Sequence, residues 1–167
     1  AEWHYRLERG EVYLDDKPIL PDRILRCGQW LVWRRPPWDE PDVPLTYRNL
    51  YQDDDLLAVA KPSGLPTVPA GGFLNHTLLT LVRNEHPKAT PVHRLGRGTS
   101  GVVLFATSAR ARKHLCAAFR DAEVCKIYRA LATGVPARQS FTIDAPIGPV
   151  SHPKLGTLNA VCAGGRY

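Results

Sequence analysis

A glycine-rich stretch that runs directly into an apolar segment constrains the fold of this chain more than any other feature. Residues 93–101 read His-Arg-Leu-Gly-Arg-Gly-Thr-Ser-Gly, and Val-Val-Leu-Phe follows at 102–105. Three glycines within six residues indicate a loop, because glycine adopts backbone conformations that other residues rarely reach. The two valines and the phenylalanine predict a short buried strand. The pattern therefore predicts a loop that presents polar side chains at the start of a strand.

The loop carries the hydrogen-bond donors that an anion site needs. Its nitrogen donors are His93, Arg94 and Arg97, and its hydroxyl donors are Thr99 and Ser100. Exposed main-chain N–H groups beside such cations form anion-binding concavities. A nucleotide-phosphate site and an ordinary surface turn are both compatible with this composition. A Walker loop is excluded, because the pattern G-x-x-x-x-G-K-[ST] is absent.

Length and composition are those of a globular protein. The 167 residues suffice for one good core, and the apolar content of 44% and charged content of 23% are ordinary. No apolar run approaches the ~20 residues that a membrane-spanning helix needs, so we expect no membrane partner. The chain begins with Ala1 and contains no methionine, and we therefore expect a fragment of a longer product.

The four cysteines predict reduced thiols and no zinc site. Cys27, Cys116, Cys125 and Cys162 form no C-x-x-C pair and have no paired histidines at zinc-site spacing. We therefore expect buried, reduced thiols in a cytoplasmic protein.

The positive charge of the chain is concentrated in one part of it. The formal net charge is +6, whereas residues 94–138 hold seven arginines and two lysines against two acids, a local balance of +7. A basic excess around the glycine-rich loop suits a polyanionic partner, because phosphate contacts supply most non-specific nucleic-acid affinity. The alternative is a solvated basic face that keeps the protein soluble.

The first 35 residues predict a small unit of their own. A helix over 2–9, a cap at Gly10 and strands at 11–14 and 28–33 follow one another in order. This order resembles the back half of an S4-type RNA-binding module. We therefore predict a partial S4-like RNA-binding module at 1–35.

A proline-rich segment predicts the boundary to a second domain. Residues 36–45 contain four prolines, which exclude a helix or a central strand and favour a semi-rigid linker. The predicted elements of the domain at 46–167 are a strand at 56–60, a Lys-Pro-Ser-Gly turn at 61–64, a helix over 109–120 capped by Ser108, and a strand at 124–131. Short strands and one convincing helix between the main motifs predict an α+β fold with a mixed or mostly antiparallel sheet.

Two motifs and the turn at 61–64 together resemble one known family. The loop at 93–101 resembles the active-site motif of the RluA-type pseudouridine synthases, H-R-L-D-x-x-T-S-G. Lys-Ile-Tyr-Arg-Ala at 126–130 is similar to the family's K-x-Y-x-A motif, and a K-P-x-G turn also begins its catalytic domain. The resemblance implies the α+β fold of a pseudouridine synthase catalytic domain over 46–167, incomplete at its C-terminus because the family's third motif is missing.

The resemblance also implies an activity and a set of site residues. The family isomerises uridine to pseudouridine in structured RNA, without a metal or another cofactor, and we expect ribosomal or transfer RNA as the partner of a monomer. Tyr128 corresponds to the tyrosine that stacks on the flipped base, and Arg94 to the arginine of the active-site motif. The residues expected to contact RNA are His93, Arg97, Thr99, Ser100, Lys126 and Lys61.

Gly96 is the point at which this chain departs from the family. It stands where the family carries its essential aspartate, and glycine has no side chain to attack or to accept a proton. One alternative is therefore a catalytically inactive RNA-binding relative. The other is a substitute carboxylate, for which Asp121, Asp144 and Asp53 are the candidates.

Overall fold

The secondary structure consists of short strands and helices whose order follows the apolar pattern of the sequence. The computed structural model describes residues 2–153 and 156–165, and the chain divides into two compact units, Ala1–Cys125 and Lys126–Tyr167. In chain order, the first unit contains α1 (Glu2–Glu8), β1 (Val12–Leu14), β2 (Lys17–Pro18), β3 (Leu31–Trp33), β4 (Arg48–Gln52), β5 (Leu56–Lys61), α2 (Leu78–Glu85), β6 (Thr90–Pro91), β7 (Gly101–Ala106) and α3 (Ala109–Arg120). The second unit contains β8 (Ile147–His152) and β9 (Gly156–Val161), which form an antiparallel hairpin.

The larger sheet of the first unit holds the strand that follows the glycine-rich loop. Its strand order is β4-β5-β7-β6, and all three strand pairs are antiparallel. β5 and β7 lie at the centre, paired from Leu56 opposite Ala106 to Lys61 opposite Gly101. The predicted strands at 56–60 and 102–106 and the antiparallel sheet are therefore confirmed.

The core of this unit forms on one face of the sheet. Alternate residues of a strand face the same side, and the core residues of β5 and β7 follow that period. The core cluster consists of Leu57, Val59, Leu65, Leu78, Val82, Ala89, Leu95, Val103 and Phe105. Leu95 belongs to the glycine-rich loop, so the loop is anchored in the core by its one apolar side chain.

α3 begins and ends where the sequence predicts. The side chain of Ser108 accepts a hydrogen bond from the N–H of Ala111, and its hydroxyl donates to the carboxylate of Asp55. Such a cap satisfies a main-chain donor that the first helical turn leaves without a partner. Arg110 forms an ion pair with the same carboxylate, so Asp55 attaches the start of α3 to the turn before β5.

The smaller sheet near the N-terminus has the order β2-β1-β3. β1 lies in the middle, with Val12 and Leu14 buried, and Asp15 and Asp16 form its turn to β2 with positive φ. The strands predicted at 11–14 and 28–33 are present in shortened form. The assignment of 1–35 as a partial S4-like module stays a prediction.

Two expectations about the loops are wrong. The strand predicted at 124–131 does not form, and Ile127 and Leu131 on it are 90% and 104% exposed. Alternation predicts a half-buried strand only where a neighbouring strand supplies hydrogen-bond partners, and no strand in the described part of the chain pairs with this segment. The four thiols are free as expected, but none is buried: Cys27 and Cys125, in irregular segments, are exposed, and Cys116 and Cys162 are half-buried.

Candidate active site

Lys61, the last residue of β5, binds the main chain of the glycine-rich loop. Its side chain is only 1% exposed, and its Nζ donates to the carbonyl oxygens of Pro62, Leu65 and Arg97 at 2.9, 2.7 and 3.3 Å. The Arg97 carbonyl also accepts the N–H of Gly64 at 2.8 Å. Burial lowers the pKa of the Lys61 ammonium below its usual value. The structure thus uses Lys61 to join the turn at 61–64 to the loop, a contact that the sequence did not predict.

Two hydroxyl groups complete the attachment of the loop. Thr67 is buried, and its Oγ1 donates to the Leu95 carbonyl at 2.8 Å and accepts the Leu95 N–H at 3.2 Å. Ser63 Oγ donates to the Gly98 carbonyl at 2.8 Å. The main chain of the loop is therefore fixed at several points, which leaves its polar side chains outside. Ser63 belongs to the Lys-Pro-Ser-Gly turn that the sequence indicated, whereas no motif indicated Thr67.

A solvent-open pocket of about 540 Å³ lies beside the loop. Arg94, Leu95, Gly96 and Arg97 form one wall, and the residues of the other wall are Pro66, Thr67, Val68, Ala70, Gly71 and Phe73. None of these lining residues, all within the described part of the chain, carries a carboxylate. The volume lies in the range of small-molecule sites. An apolar wall facing two cations suits a flat group that is attached to phosphate.

Phe73 is placed on the pocket wall by a tight turn. Ala70 and Phe73 exchange two main-chain hydrogen bonds of 3.1 Å, and Gly71 and Gly72 between them have φ of 56° and 89°. A two-residue turn of this kind requires positive φ at both central positions, which glycine adopts without strain. The Arg97 guanidinium carbon lies 5.6 Å from the centre of the Phe73 ring. The turn thereby pairs an aromatic face with a cation of the loop.

Gly96 occupies a position that does not require glycine. Its φ lies outside the left-handed region, and a Cβ added to it would meet only Thr99 Oγ1, at an ordinary contact distance of 3.7 Å. Its carbonyl accepts the N–H of Thr99 at 3.0 Å, which closes a turn of the loop. The local backbone therefore has room for a side chain at position 96.

The proline-rich segment at 36–45 contacts the opposite wall. Trp38 Nε1 donates to the Gly72 carbonyl at 2.7 Å, beside the turn that places Phe73. The Glu40 carboxylate accepts the main-chain N–H groups of three consecutive residues at 2.8 to 3.1 Å, and these residues are Leu74, Asn75 and His76. The proline content predicts only a linker for this segment, although a tryptophan and a glutamate among prolines are an available signal for such contacts.

Glu40→Gln should lower the melting temperature at neutral pH, and the loss should shrink on acidification. Partial desolvation raises the pKa of Glu40, but the N–H donors lower it by more, so it lies below the ordinary value. A carboxyl whose pKa is lowered by folding stabilises fully above its unfolded pKa of about 4.3, and this contribution is lost as pH falls through the folded pKa. Melting curves from pH 7 to pH 3 test this, with exposed Glu123→Gln as the control. Equal effects of the two variants at pH 7 would contradict it.

The remaining predicted site residues fall into two groups. His93 accepts the N–H of Leu104 on its Nε2 at 3.0 Å and stacks on Phe119 of α3, with ring centroids 4.6 Å apart. Thr99 and Ser100 are exposed on the loop beside Arg94. Tyr128 and Lys126 belong to the second unit, on an irregular segment, and Tyr128 is 64% exposed. The roles of these residues toward RNA stay predictions.

The described residues offer no obvious metal centre and no membrane span. No group of three or more His, Cys, Asp or Glu side chains among them is placed to hold a metal ion. None of their helices is long and apolar enough to cross a bilayer.

Comparison with known proteins supplies the family. The model of the RNA pseudouridylate synthase family matches residues 55–162, which include β5, the pocket, the loop and the hairpin of the second unit. The chain belongs to this family. The predicted membership in the pseudouridine synthase family is thereby confirmed.

Relatives of known name agree with this assignment. The chain is 39% identical over 166 residues to an uncharacterized RNA pseudouridine synthase of Synechocystis. This alignment covers 98% of the chain and 57% of the relative. It is 38% identical over 181 residues to RNA pseudouridine synthase 5 of Arabidopsis thaliana, in an alignment that covers 90% of the chain and 49% of the relative. It is 39% identical over 100 residues to the dual-specificity RNA pseudouridine synthase RluA of Escherichia coli, in an alignment that covers 59% of the chain and 45% of the relative.

The chain thus spans about half the length of the curated relatives it matches. All three relatives are named as RNA pseudouridine synthases, so the comparisons do not support the alternative of an inactive relative.

Proposed function

We propose that this chain isomerises uridine to pseudouridine in structured RNA. The observation that carries the proposal is the pocket beside Gly96, because the loop that resembles the family's active-site motif forms one of its walls. An enzyme that acts on a base within RNA must take the base out of the stack and hold it in such a pocket. The proposal includes ribosomal or transfer RNA as the substrate and the cytoplasm as the location.

The pocket suggests roles for the residues around it. The apolar wall that ends at Phe73 supports the flat face of a flipped uracil. Arg94 and Arg97 on the opposite wall neutralise the phosphates on either side of the target nucleotide, as cations commonly do in nucleic-acid sites. The family resemblance alone, and not a contact with the pocket, makes Tyr128 the proposed stacking residue and Lys126 a proposed support of the site or of a phosphate. Neither role requires a metal or a cofactor.

The reaction also needs a carboxylate that the pocket lining lacks. Asp53 accepts hydrogen bonds from the Tyr51 hydroxyl and from two main-chain N–H groups of its own turn, so it is committed to that turn. Asp121 forms an ion pair with the adjacent Arg120 at the end of α3. Asp121, with this single partner among the described residues, and Asp144 remain the proposed candidates for the carboxylate, and neither is among the residues that line the pocket.

Release of tritium from RNA that carries C5-labelled uridine tests the proposed function. The chain should release tritium above the level of a heat-denatured sample and should bind the same RNA in a filter assay. Transfer RNA and ribosomal RNA fragments, tested separately, distinguish the two substrate classes. The proposal fails if the unmodified chain neither binds RNA nor releases more tritium than the heat-denatured sample.

A further inference from the structure

A second concave surface lies at the end of β7 that is remote from the glycine-rich loop. It is a cleft of about 800 Å³ between the turn that precedes β6 and the first turns of α3. Its charged lining residues are Lys88, Arg112 and Lys113, and no acidic residue is among those that line it. We call this surface the basic cleft.

The three cations of the basic cleft are exposed and not neutralised. Within residues 2–153 and 156–165, no carboxylate lies within ion-pair distance of any of them, whereas Arg110 on the same helix is paired with Asp55. Arg110 is not among the residues that line the cleft, and its guanidinium is held by the Asp55 carboxylate instead. Three like charges around one concavity repel one another and create a local positive potential, so they favour an anionic ligand.

The main chain holds the cations of the basic cleft in place. Lys88 comes directly before Ala89, which is fully buried and whose carbonyl accepts a hydrogen bond from Arg83 Nε at 3.1 Å. Arg112 and Lys113 lie within capped helix α3. Hydroxyl groups of Thr90, Thr107 and Ser108 also line the cleft. Each of these hydroxyl groups already donates its proton, to the Lys88 carbonyl, the Asp54 carbonyl and the Asp55 carboxylate respectively. The charge-assisted contacts to phosphate oxygens therefore come from the three cations.

The distance between pocket and cleft follows from the sheet. The loop ends where β7 begins, at Gly101, and the cleft residues Thr107 and Ser108 directly follow its last residue, Ala106. Six strand residues at about 3.3 Å each span roughly 20 Å. A strand of a DNA duplex advances about 3.4 Å per nucleotide, and we use this spacing as the scale for a stacked RNA strand. Roughly six nucleotides therefore separate a base in the pocket from a phosphate in the cleft.

We propose that the basic cleft binds backbone phosphates of the substrate RNA about six nucleotides from the target uridine. This inference rests on the proposed function, since it takes the RNA in the pocket as its reference. Phosphate contacts fix the register and orientation of a nucleic acid without reading its sequence. The cleft would thus hold the RNA at a second point and require a substrate that is long enough to reach it.

Two RNAs of different length test the proposal. The long RNA carries at least twelve nucleotides on each side of the target uridine, and the short RNA carries two on each side. Arg112→Gln combined with Lys113→Gln should weaken binding of the long RNA roughly tenfold at 0.1 M salt. The slope of log K against log salt concentration should become shallower by about 1.5, since each phosphate contact contributes about 0.7 to 0.9 to that slope. On the short RNA the variant and the unmodified chain should bind alike. Arg110→Gln, a paired arginine of the same helix, should change binding of the long RNA less than twofold.

The outcomes separate this inference from the proposed function. An equal loss of affinity for both RNAs, or no loss for either, would overturn the proposal that the basic cleft binds RNA. Tritium release by the unmodified chain would not be affected, so the proposed function would stand. An equal loss in Arg110→Gln and in Arg112→Gln tested singly would also overturn the cleft proposal, because bulk charge would then suffice. If the unmodified chain neither binds the long RNA nor releases tritium from it, the proposed function fails and the cleft proposal fails with it.

Discussion

Gly96→Asp should raise the rate of pseudouridine formation by about 10²- to 10⁴-fold, the usual contribution of a positioned acid–base group. The substitution adds a carboxylate at a residue that lines the pocket, where the motif resemblance implies the family's aspartate. The added Cβ meets only Thr99 Oγ1 at 3.7 Å, and the φ of Gly96 is ordinary, so the loop can accept it without backbone strain. The measurement is tritium release at saturating RNA, because the new negative charge will also weaken RNA binding.

The same loop provides a matched control for this prediction. Gly98 has no atom within 4 Å of an added Cβ and no positive φ, and it does not line the pocket. Gly98→Asp therefore adds the same charge to the same loop without placing it at the pocket, and it should leave the rate near that of the unmodified chain. An equal gain in both variants would show that the gain does not depend on position 96.

A high rate in the unmodified chain would give a different answer. If Gly96→Asp adds nothing to a rate that is already high, another carboxylate performs the chemistry. Asp121→Asn and Asp144→Asn, made one at a time, would then identify it by the loss of turnover. A fall of about 10²-fold or more in one of them, with unchanged RNA affinity, is the expected signature of a catalytic carboxylate.

The elements that the sequence predicted well are those with strong local signals. β5 and β7 are apolar segments whose alternate residues enter the core, and α3 has both a serine cap and an apolar stripe. Each signal comes from contacts within a few residues, so one sequence suffices to read it. The segment at 124–131 shows the limit, because its alternation gives a period but not the neighbouring strand on which a strand depends.

The architecture of the site depends on contacts between residues that are distant in the sequence. The sequence predicts an RNA contact for Lys61, and in the structure its ammonium is buried and donates to the Arg97 carbonyl. Trp38 and Glu40 were read as part of a linker, yet they bind the loop that carries Phe73. Such hydrogen bonds to main-chain atoms leave no trace in a single sequence, since any partner residue supplies the same carbonyl or N–H. A motif therefore located the pocket but not the residues that build it.

Arg94→Gln combined with Arg97→Gln should weaken RNA binding by about tenfold or more at 0.1 M salt. The slope of log K against log salt concentration should become shallower by about 1.5. The two guanidinium groups lie on the pocket wall within the most basic part of the chain, and each lost phosphate contact lowers the slope by about 0.7 to 0.9. The fold should survive, because Lys61 and Gly64 bind the main-chain carbonyl of Arg97, which the substitution retains. Thermal unfolding checks this, and the loss of the contact between Arg97 and Phe73 should cost only about 0.5–1 kcal/mol.

A control for the arginine pair must remove the same charge from paired side chains. Arg110 and Arg120 are both exposed arginines of α3 that form ion pairs, with Asp55 and Asp121 respectively. Arg110→Gln combined with Arg120→Gln therefore lowers the formal charge equally but removes cations that nearby carboxylates already neutralise. This control should shift the affinity for RNA less than threefold across a titration from 0.05 to 0.5 M salt. If the Arg94 and Arg97 variant behaves in the same way, the basic residues around the pocket serve solubility rather than binding, and the RNA must enter by another surface.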